Sequence, residues 1–378
     1  MRIAFVSNVV YPFVTGGAEK RIHEIGTRIA ATGHDVTIYA RHFWDGPQVM
    51  EYEGLNLYGV APATDLYTGG RRSITEAIDF SVKLFPHLRR NVDNHDLVVA
   101  SLFPYFPVPV SKLASLGSET PLITTWHEVW LDYWDDYLGH LAPFGKAIER
   151  ATAKTPHYPI AVSSVTANRL AQIGPSRNRI EIVPNGIDID RIESTAPAEE
   201  GFDILYAGRL IDEKNVDLLL AAFDRVADAR PEITLGVIGE GPESDRLKRQ
   251  TRSLEHSDHV TLLGFLEEYD DVIAHMHAAD VFASLSTREG FGITFVEAMA
   301  TDCTVLAAEH PESAAVEVIG DAGFVVPPTV EDVTLALERA LTGERPDIEP
   351  TNRAQQFDWD VIASQATDCY RRAVEDDW

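Results

Sequence analysis

The sequence predicts an α/β protein made of two tandem open sheets, each mostly parallel and covered by helices. Three observations carry this expectation. The chain has 378 residues, two to three times the roughly 100–150 of a usual single domain. Short apolar runs alternate with amphipathic segments, the strand–helix order of a parallel sheet covered on both faces. The charge also divides: residues 1–186 hold 17 basic and 18 acidic side chains, and residues 187–378 hold 15 and 41. Two domains with different surfaces would give such a split.

The elements follow in order. In the first half, apolar runs place strands at 2–7, 35–40, 55–60, 96–101, 121–125, 158–162 and 179–183. Amphipathic segments place helices at 18–31, 73–91, 108–116, 144–153 and 164–173. The loop 183–188 and the polar stretch 193–201 then read as the passage between domains, the latter as a linker. The alternation restarts with strands at 203–207, 234–238, 260–263 and 281–284, near Val305, and at 324–326. Helices are expected at 215–228, 243–254, 270–278, 292–300 and 330–341, with a last one at 361–373. The predicted domains are 1–190 and 191–357, with 358–378 packing back on the first.

Composition excludes several classes. Hydrophobic residues make up 45% and charged residues 24%, ordinary for a globular chain and unlike a disordered or fibrous one. The longest mostly apolar run, 97–110, holds three prolines and falls short of the ~20 residues that cross a bilayer. Residues 1–6 read as a strand with no basic-then-apolar leader, so a cytoplasmic location is expected. Cys303 and Cys369 build neither a disulfide framework nor a zinc site. A net charge of −27 disfavours nucleic acid, whose phosphates need clustered Lys and Arg. Seven lysines against 25 arginines, in so acidic a chain, suggest a salty cytoplasm that screens self-repulsion.

Open α/β sheets bind ligands at the carboxyl ends of their strands, and four such loops stand out. Gly16-Gly17 precedes the first helix without the G-x-G-x-x-G spacing of a dinucleotide fingerprint. The pair would let an anion reach the helix N-terminus, and a plain chain-reversing turn explains it equally well. Gly208-Arg209-Leu210-Ile211-Asp212-Glu213-Lys214 places two cations at a helix start. They fit one anion, or a solvated surface pair. In the stretch Glu289-Gly290-Phe291-Gly292-Ile293-Thr294-Phe295-Val296-Glu297, Gly290 and Gly292 open backbone N–H groups at a positive helix end, where a diphosphate would sit. Glu297 lies inside an apolar run and needs a partner, such as ribose hydroxyls, while Glu289 is placed for sugar hydroxyls. His127 ends an apolar strand, and Trp126, Trp130, Tyr133, Trp134 and Tyr137 cluster beside it. Sugar stacking, a membrane-interface belt and ordinary packing all suit that cluster.

Together these loops resemble the family 4 retaining glycosyltransferases of GT-B fold (glycosyl transferases group 1), over essentially the whole chain. The strongest element is the E-x7-E stretch from Glu289 to Glu297. Supporting elements are Gly16-Gly17-Ala18-Glu19, His127-Glu128, the loop 183–188, Gly208-Arg209 with Lys214, Ile238-Gly239-Glu240-Gly241-Pro242 and Leu263-Gly264-Phe265. The resemblance implies two Rossmann-like domains facing across a cleft, with a nucleotide-sugar donor on the second and an acceptor on the first. Arg209 and Lys214 match diphosphate-binding cations, and Gly16 and Gly17 close on the phosphates. Glu297 matches the ribose contact, Glu289 the transferred sugar, Gly264 and Phe265 the base, and His127 the histidine near the sugar. Asn215 departs from the glycine common after that lysine. The resemblance also implies no cofactor and no bound metal, Arg209 and Lys214 stabilising the leaving diphosphate.

The cationic, partly apolar segment from Gly70-Arg71-Arg72-Ser73 to Arg89-Arg90 is similar to family segments that contact membranes or lipid-linked acceptors. It suits a lipid-linked or cell-surface glycan acceptor and a peripheral place on the cytoplasmic leaflet, and equally a solvated helix face. Three rivals remain at this point. A nucleotide-sugar epimerase shares the fold, and a non-catalytic nucleotide-sugar-binding protein shares the loops. A nicotinamide dehydrogenase shares the fold class but lacks its fingerprint.

Overall fold

The computed structural model describes residues 1–68, 71–101 and 105–378, with the side chains at 67, 68, 71 and 72 outside that description. The chain divides into two compact units, Met1–Pro184 joined by Trp359–Trp378, and Asn185–Asp358.

The first unit contains β1 (Arg2–Val6), β2 (Asp35–His42), β3 (Val49–Tyr52), β4 (Leu55–Pro62), β5 (Tyr67–Thr68), β6 (Arg71–Arg72), β7 (Leu97–Ser101), β8 (Leu122–Trp126), β9 (Tyr158–Ala161) and β10 (Glu181–Ile182). Eight of them form one sheet in the order β10-β9-β8-β7-β1-β2-β4-β3, parallel except for β3 against β4, and β5 with β6 forms a separate antiparallel pair. In β1 the residues Ile3, Ala4, Phe5 and Val6 are all buried. A strand covered on both faces needs such a continuous apolar run, where a half-exposed strand would alternate. The covering helices are α1 (Gly17–Ala31), α2 (Ile74–Asn91), α3 (Pro107–Ala114), α4 (Tyr133–Leu138), α5 (Ala142–Ala153) and α6 (Ser164–Leu170). Ser73 Oγ accepts from the Glu76 N–H at the start of α2 (3.3 Å), satisfying one of the donors a helix start leaves unpaired. The final helix, Trp359–Val374, packs on α1, burying Ile362, Ala366 and Tyr370 with Ile25 and Ile29.

The second unit holds β11 (Ile204–Ala207), β12 (Leu235–Ile238), β13 (Val260–Gly264), β14 (Val281–Ser284), β15 (Thr304–Ala308) and β16 (Gly323–Val326). They form one parallel sheet in the order β13-β12-β11-β14-β15-β16. Its helices are α7 (Ile189–Ser194), α8 (Val216–Ala229), α9 (Ser244–Thr251), α10 (Tyr269–His277), α11 (Ile293–Ala300), α12 (Ala315–Ile319), α13 (Val330–Leu341) and α14 (Pro350–Ala354). Leu219, Phe223 and Val226 of α8 and Val333 and Leu337 of α13 fill one core with Tyr206, Val237 and Leu306. Strand order reverses between β11 and β14 here and between β1 and β7 in the first unit. At such a switch point the loops leaving the strands diverge and open a crevice.

Two expectations need correction. The chain leaves the first unit at Pro184/Asn185, not in the polar stretch 193–201. That stretch begins within α7, whose Ile189 and Ile192 are buried in the second unit. The strand β3 and the short helices α4, α7, α12 and α14 were not expected, and each is eight residues or fewer.

Candidate functional site

In the second unit the loops leaving β11, β12 and β13 are bonded to each other through their backbones. The Gly208 N–H donates to the Ile238 carbonyl (3.0 Å), the Leu210 N–H to the Glu240 carbonyl (3.0 Å) and the Gly239 N–H to the Gly264 carbonyl (2.7 Å). Gly239 has φ +133°, and a Cβ there would stand 1.9 Å from the Gly208 carbonyl oxygen. Any side chain would break this lattice, so the glycine is obligatory on two counts. Beside it the Phe265 ring is 67% exposed.

Arg209 is exposed: its carbonyl accepts from the Tyr206 hydroxyl (3.1 Å), and its guanidinium makes no hydrogen bond or ion pair with the described residues. Lys214 Nζ instead donates to the Glu289 carboxylate, each side chain 19% exposed. Their loops are stitched together around that pair. The Thr287 N–H donates to the Glu213 carbonyl (3.0 Å), and Asn215 Nδ2 to the Leu285 carbonyl (2.9 Å). Asn215 sits at φ +49°, in the left-handed region that glycine or asparagine tolerates best. That conformation suits asparagine or glycine, and the asparagine amide adds a bond that glycine would lack.

Glu289 is fixed by its backbone to the loop after β15: its N–H donates to the Glu312 carbonyl (3.2 Å), and its carbonyl accepts from the Ala314 N–H (2.9 Å). Phe291 turns inward, edge-on to Phe357 at 5.5 Å, so its ring faces the core and only its backbone is left for a ligand. Gly292, at φ +83°, precedes α11, and a Cβ there would lie 2.4 Å from the Phe295 ring. The backbone N–H groups of Gly290 to Thr294 find no acceptor among the described residues. Successive free N–H groups at a helix start form an anion site. One turn further, Glu297 is buried and accepts from the Tyr269 hydroxyl (2.9 Å). Burial, and then the Glu297 charge, hold that phenol un-ionised. Arg191 lies 5.0 Å over the Tyr269 ring and pairs with Asp270 at 2.7 Å.

In the first unit Gly16 precedes α1 in an extended conformation (φ −167°), and Gly17 shows no left-handed φ. Neither residue is needed for chain reversal. A Cβ on Gly17 would meet nothing within 4 Å, so the glycine leaves open space at the helix start. Arg21, one turn on and buried, donates to the carbonyls of Pro184 and Val183 (3.0 Å to the latter), tying α1 to the strand end after β10. His127 keeps part of its surface accessible. Desolvation, and next the Arg21 guanidinium, push its imidazole down to about 3, so it works as a neutral ring.

The aromatic cluster is mostly packing. Trp126 and Trp134 are buried, and the Trp130 ring packs tilted against Trp134 and edge-on to Tyr137, each at 4.7 Å. Glu149 orders the segment, accepting from the Tyr105 hydroxyl (2.9 Å) and from the Trp130 and Leu131 N–H groups (2.7 and 3.0 Å). The structure thus brings together Lys214 with Glu289, and the Gly290–Thr294 backbone with Glu297. Arg209 makes no side-chain contact with either, and Gly16, Gly17 and His127 belong to the other unit. Sequence reasoning missed Tyr269, Arg21 and Glu149 as partners, since each acts through a side-chain contact with no local spacing signal.

Comparison with known proteins agrees with both halves. The model of Glycosyltransferase Family 4 matches residues 15–191, and that of Glycosyl transferases group 1 matches residues 188–357. A glycogen synthase of Mycobacterium tuberculosis is 26% identical, covering 99% of this chain and 95% of its own. A phosphatidyl-myo-inositol mannosyltransferase of the same species is 28% identical, covering 85% and 90%. Among solved structures, sucrose-phosphate synthase from Thermosynechococcus elongatus superposes with a TM-score of 0.75 at 19% identity, over 99% of each chain. Its two parallel-sheet units have the GT-B fold, and the chain belongs to the family 4 glycosyltransferases, enzymes that use nucleotide sugars.

Proposed function

We propose that the protein moves a hexose-type sugar from a UDP- or GDP-sugar to a hydroxyl acceptor, with retention and without a bound metal. The observation that carries this reading is the Lys214–Glu289 ion pair beside the free N–H row of Gly290 to Thr294. A diphosphate arriving at that row takes Lys214 for one of its oxygens. Glu289 is then free to accept from hydroxyls of the sugar. Exposed Arg209 adds a second cation for the leaving diphosphate, a charge whose stabilisation in the transition state lowers the barrier directly. Glu297, oriented by Tyr269, accepts from the ribose, and Gly264 with Phe265 faces the base. Gly16 and Gly17, at the open start of α1, are the first unit's own candidate for an anion contact.

The acceptor hydroxyl attacks on the face from which diphosphate departs, and a phosphate oxygen takes its proton. Neutral His127 is the first unit's candidate hydrogen-bonding group at the carboxyl end of its sheet. The protein's contribution is position and charge.

The acceptor is a lipid-linked or cell-surface glycan, met at the cytoplasmic membrane face. Support comes from α2, which exposes Ile74, Ile78 and Val82 at four-residue spacing, with Arg89 and Arg90 exposed at its end. Leu113 on α3, which packs against α2, and Leu116 just past its end are exposed as well. An apolar stripe flanked by arginines suits an interfacial helix over anionic lipid. Gly70 and the side chains of Arg71 and Arg72, part of the predicted patch, lie outside the described residues. No described helix is long and apolar enough to cross a membrane.

The test is nucleoside diphosphate release from a panel of UDP- and GDP-sugars with glycolipid extracts as acceptor. Acceptor-dependent release with the anomeric configuration kept supports transfer. Conversion of the donor sugar without acceptor, or donor binding without release, would sink it. For the membrane, co-flotation with anionic vesicles should be lost in Ile78→Glu/Val82→Glu, and vesicles that never carry the wild type remove that part.

A further inference from the structure

We propose that the first unit carries a second small-molecule site, for a phosphate-bearing compound, at the end of its sheet opposite to His127. His127 follows the last residue of β8. The second site is a pocket built from what precedes the strands: the approach to β8, the segment 154–158 before β9, and Arg179 before β10. Its volume is about 770 Å³, within the roughly 300–1,000 Å³ of small-molecule sites and far above the space of a bare ion.

Three cations line it, Lys112, Lys154 and Arg179. None makes a side-chain hydrogen bond or ion pair with the described residues. Residues 1–186 hold 17 basic and 18 acidic side chains, so carboxylates are at hand and three unpaired cations around one pocket need a reason. Elsewhere in the same unit cations find carboxylates: Arg2 pairs with Asp96 at 2.7 Å, Lys146 with Asp132 at 2.8 Å and Arg372 with Glu181 at 3.1 Å. Two acids share the pocket, Glu119 and Asp376, and Asp376 is engaged by the Tyr158 hydroxyl. A guanidinium fork with two ammonium groups suits a tetrahedral dianion, which takes paired and single charge-assisted bonds together.

The fourth group is His157. Its Nδ1 is bonded to the Thr155 carbonyl, which only accepts, so Nδ1 carries the ring proton. Nε2 is then an acceptor, buried and without a partner among the described residues. A buried polar atom of this kind is uncommon in a folded chain, and a ligand hydroxyl would reach it only with a small shift of the pocket wall at His157. The wall is also held in place. Trp378 Nε1 donates to the Arg179 carbonyl (2.7 Å), and its ring lies 5.4 Å beneath Arg372.

The test is calorimetric titration of the full chain with ribose 5-phosphate, inorganic phosphate and ribose, at constant ionic strength. Wild type and Lys112→Gln/Arg179→Gln are compared, because both keep the same Lys214 loop and any phosphate bound there cancels. The ester should bind wild type, and the double variant should bind it about tenfold or more weakly, as loss of charge-assisted bonds requires. Ribose alone should not bind. A tighter ester than inorganic phosphate identifies an organic phosphate, and equal affinity identifies the free ion. Both results support the site provided the variant loses them. Lys154→Gln, on an exposed side chain, repeats the test with a smaller loss should the double variant fold poorly. Absence of phosphate binding in wild type, or equal affinity in wild type and variants, overturns the proposal.

Discussion

In the second unit the loops leaving β11, β12 and β13 are bonded to one another backbone to backbone, and those around β14 add side-chain ties to them. In the first unit the loops after β1 and β8 are held by buried side chains, Arg21 on the strand end after β10 and Glu149 on the Trp130 segment. The two strategies differ in what they demand. A backbone lattice leaves no room for Cβ atoms, so it requires glycine at particular positions and tolerates nothing else. A side-chain anchor requires only one group of suitable reach and charge, which many residues at many positions could supply. The unit with the lattice therefore carries rigid, recognisable loops, and the other carries loops whose order depends on distant contacts.

The comparison breaks most visibly at Lys214 and Glu289. Lys214→Ala and Glu289→Ala should each lower kcat/KM by roughly 10²–10³, the scale on which one charge-stabilising group acts. The double variant should lose little more than either single variant, since each removes the same paired arrangement. Steady-state rates with a saturating acceptor read this, and additive losses would mean that the two groups act independently. The next effect sets glycine against glycine. Gly239→Ala drives a methyl into the Gly208 carbonyl and should cost about 3 kcal/mol of stability, seen as a lower melting temperature. Gly17→Ala meets nothing, should leave the melting temperature level or slightly raised by helix propensity, and should show its loss only in donor affinity.

The same contrast explains what the sequence made legible. Nearly every strand and long helix followed from apolar runs, because central strands such as β1 are buried on both faces and read as unbroken hydrophobic stretches. The glycine loops around 208, 239, 264 and 292 were visible because their conformations exclude other residues. Helices of five or six residues, such as α4 and α12, complete too few turns for a periodic signal to emerge. The unit boundary was misread because the polar run 193–201 looks like a linker, whereas buried Ile189 and Ile192 bind its start to the second unit. Tyr269 was invisible for another reason. Its contact with Glu297 spans 28 positions, and only the assembled sheet brings them together.

Tyr269 supplies a smaller effect. Tyr269→Phe removes one hydrogen bond to a buried carboxylate and should raise donor KM about fivefold, worth about 1 kcal/mol, with kcat nearly unchanged. A fall in kcat with constant KM would instead place Glu297 in the chemistry rather than in donor binding.

The smallest expected effect concerns pH, and it belongs to the first unit. Desolvation is the leading cause that pushes His127 down to about 3 and His157 down to about 4. In the unfolded chain both would take a proton near pH 6.5, while the folded rings stay neutral until far lower pH. The folded state is therefore unpenalised above about pH 6.5, and its stability falls as pH drops from there towards 4, by up to roughly 1.4 kcal/mol per pH unit for each ring. Urea unfolding at pH 6.5 and 5.5 isolates this from most carboxylate titration. His157→Gln should remove about 1 kcal/mol of the loss across that interval. The second unit gives a control within the same molecule: Lys248→Gln, far from either imidazole in sequence and unit, should leave the slope as it is. An unchanged slope in His157→Gln would mean that this ring takes up its proton in the folded state, and that burial in the first unit is looser than its packing implies.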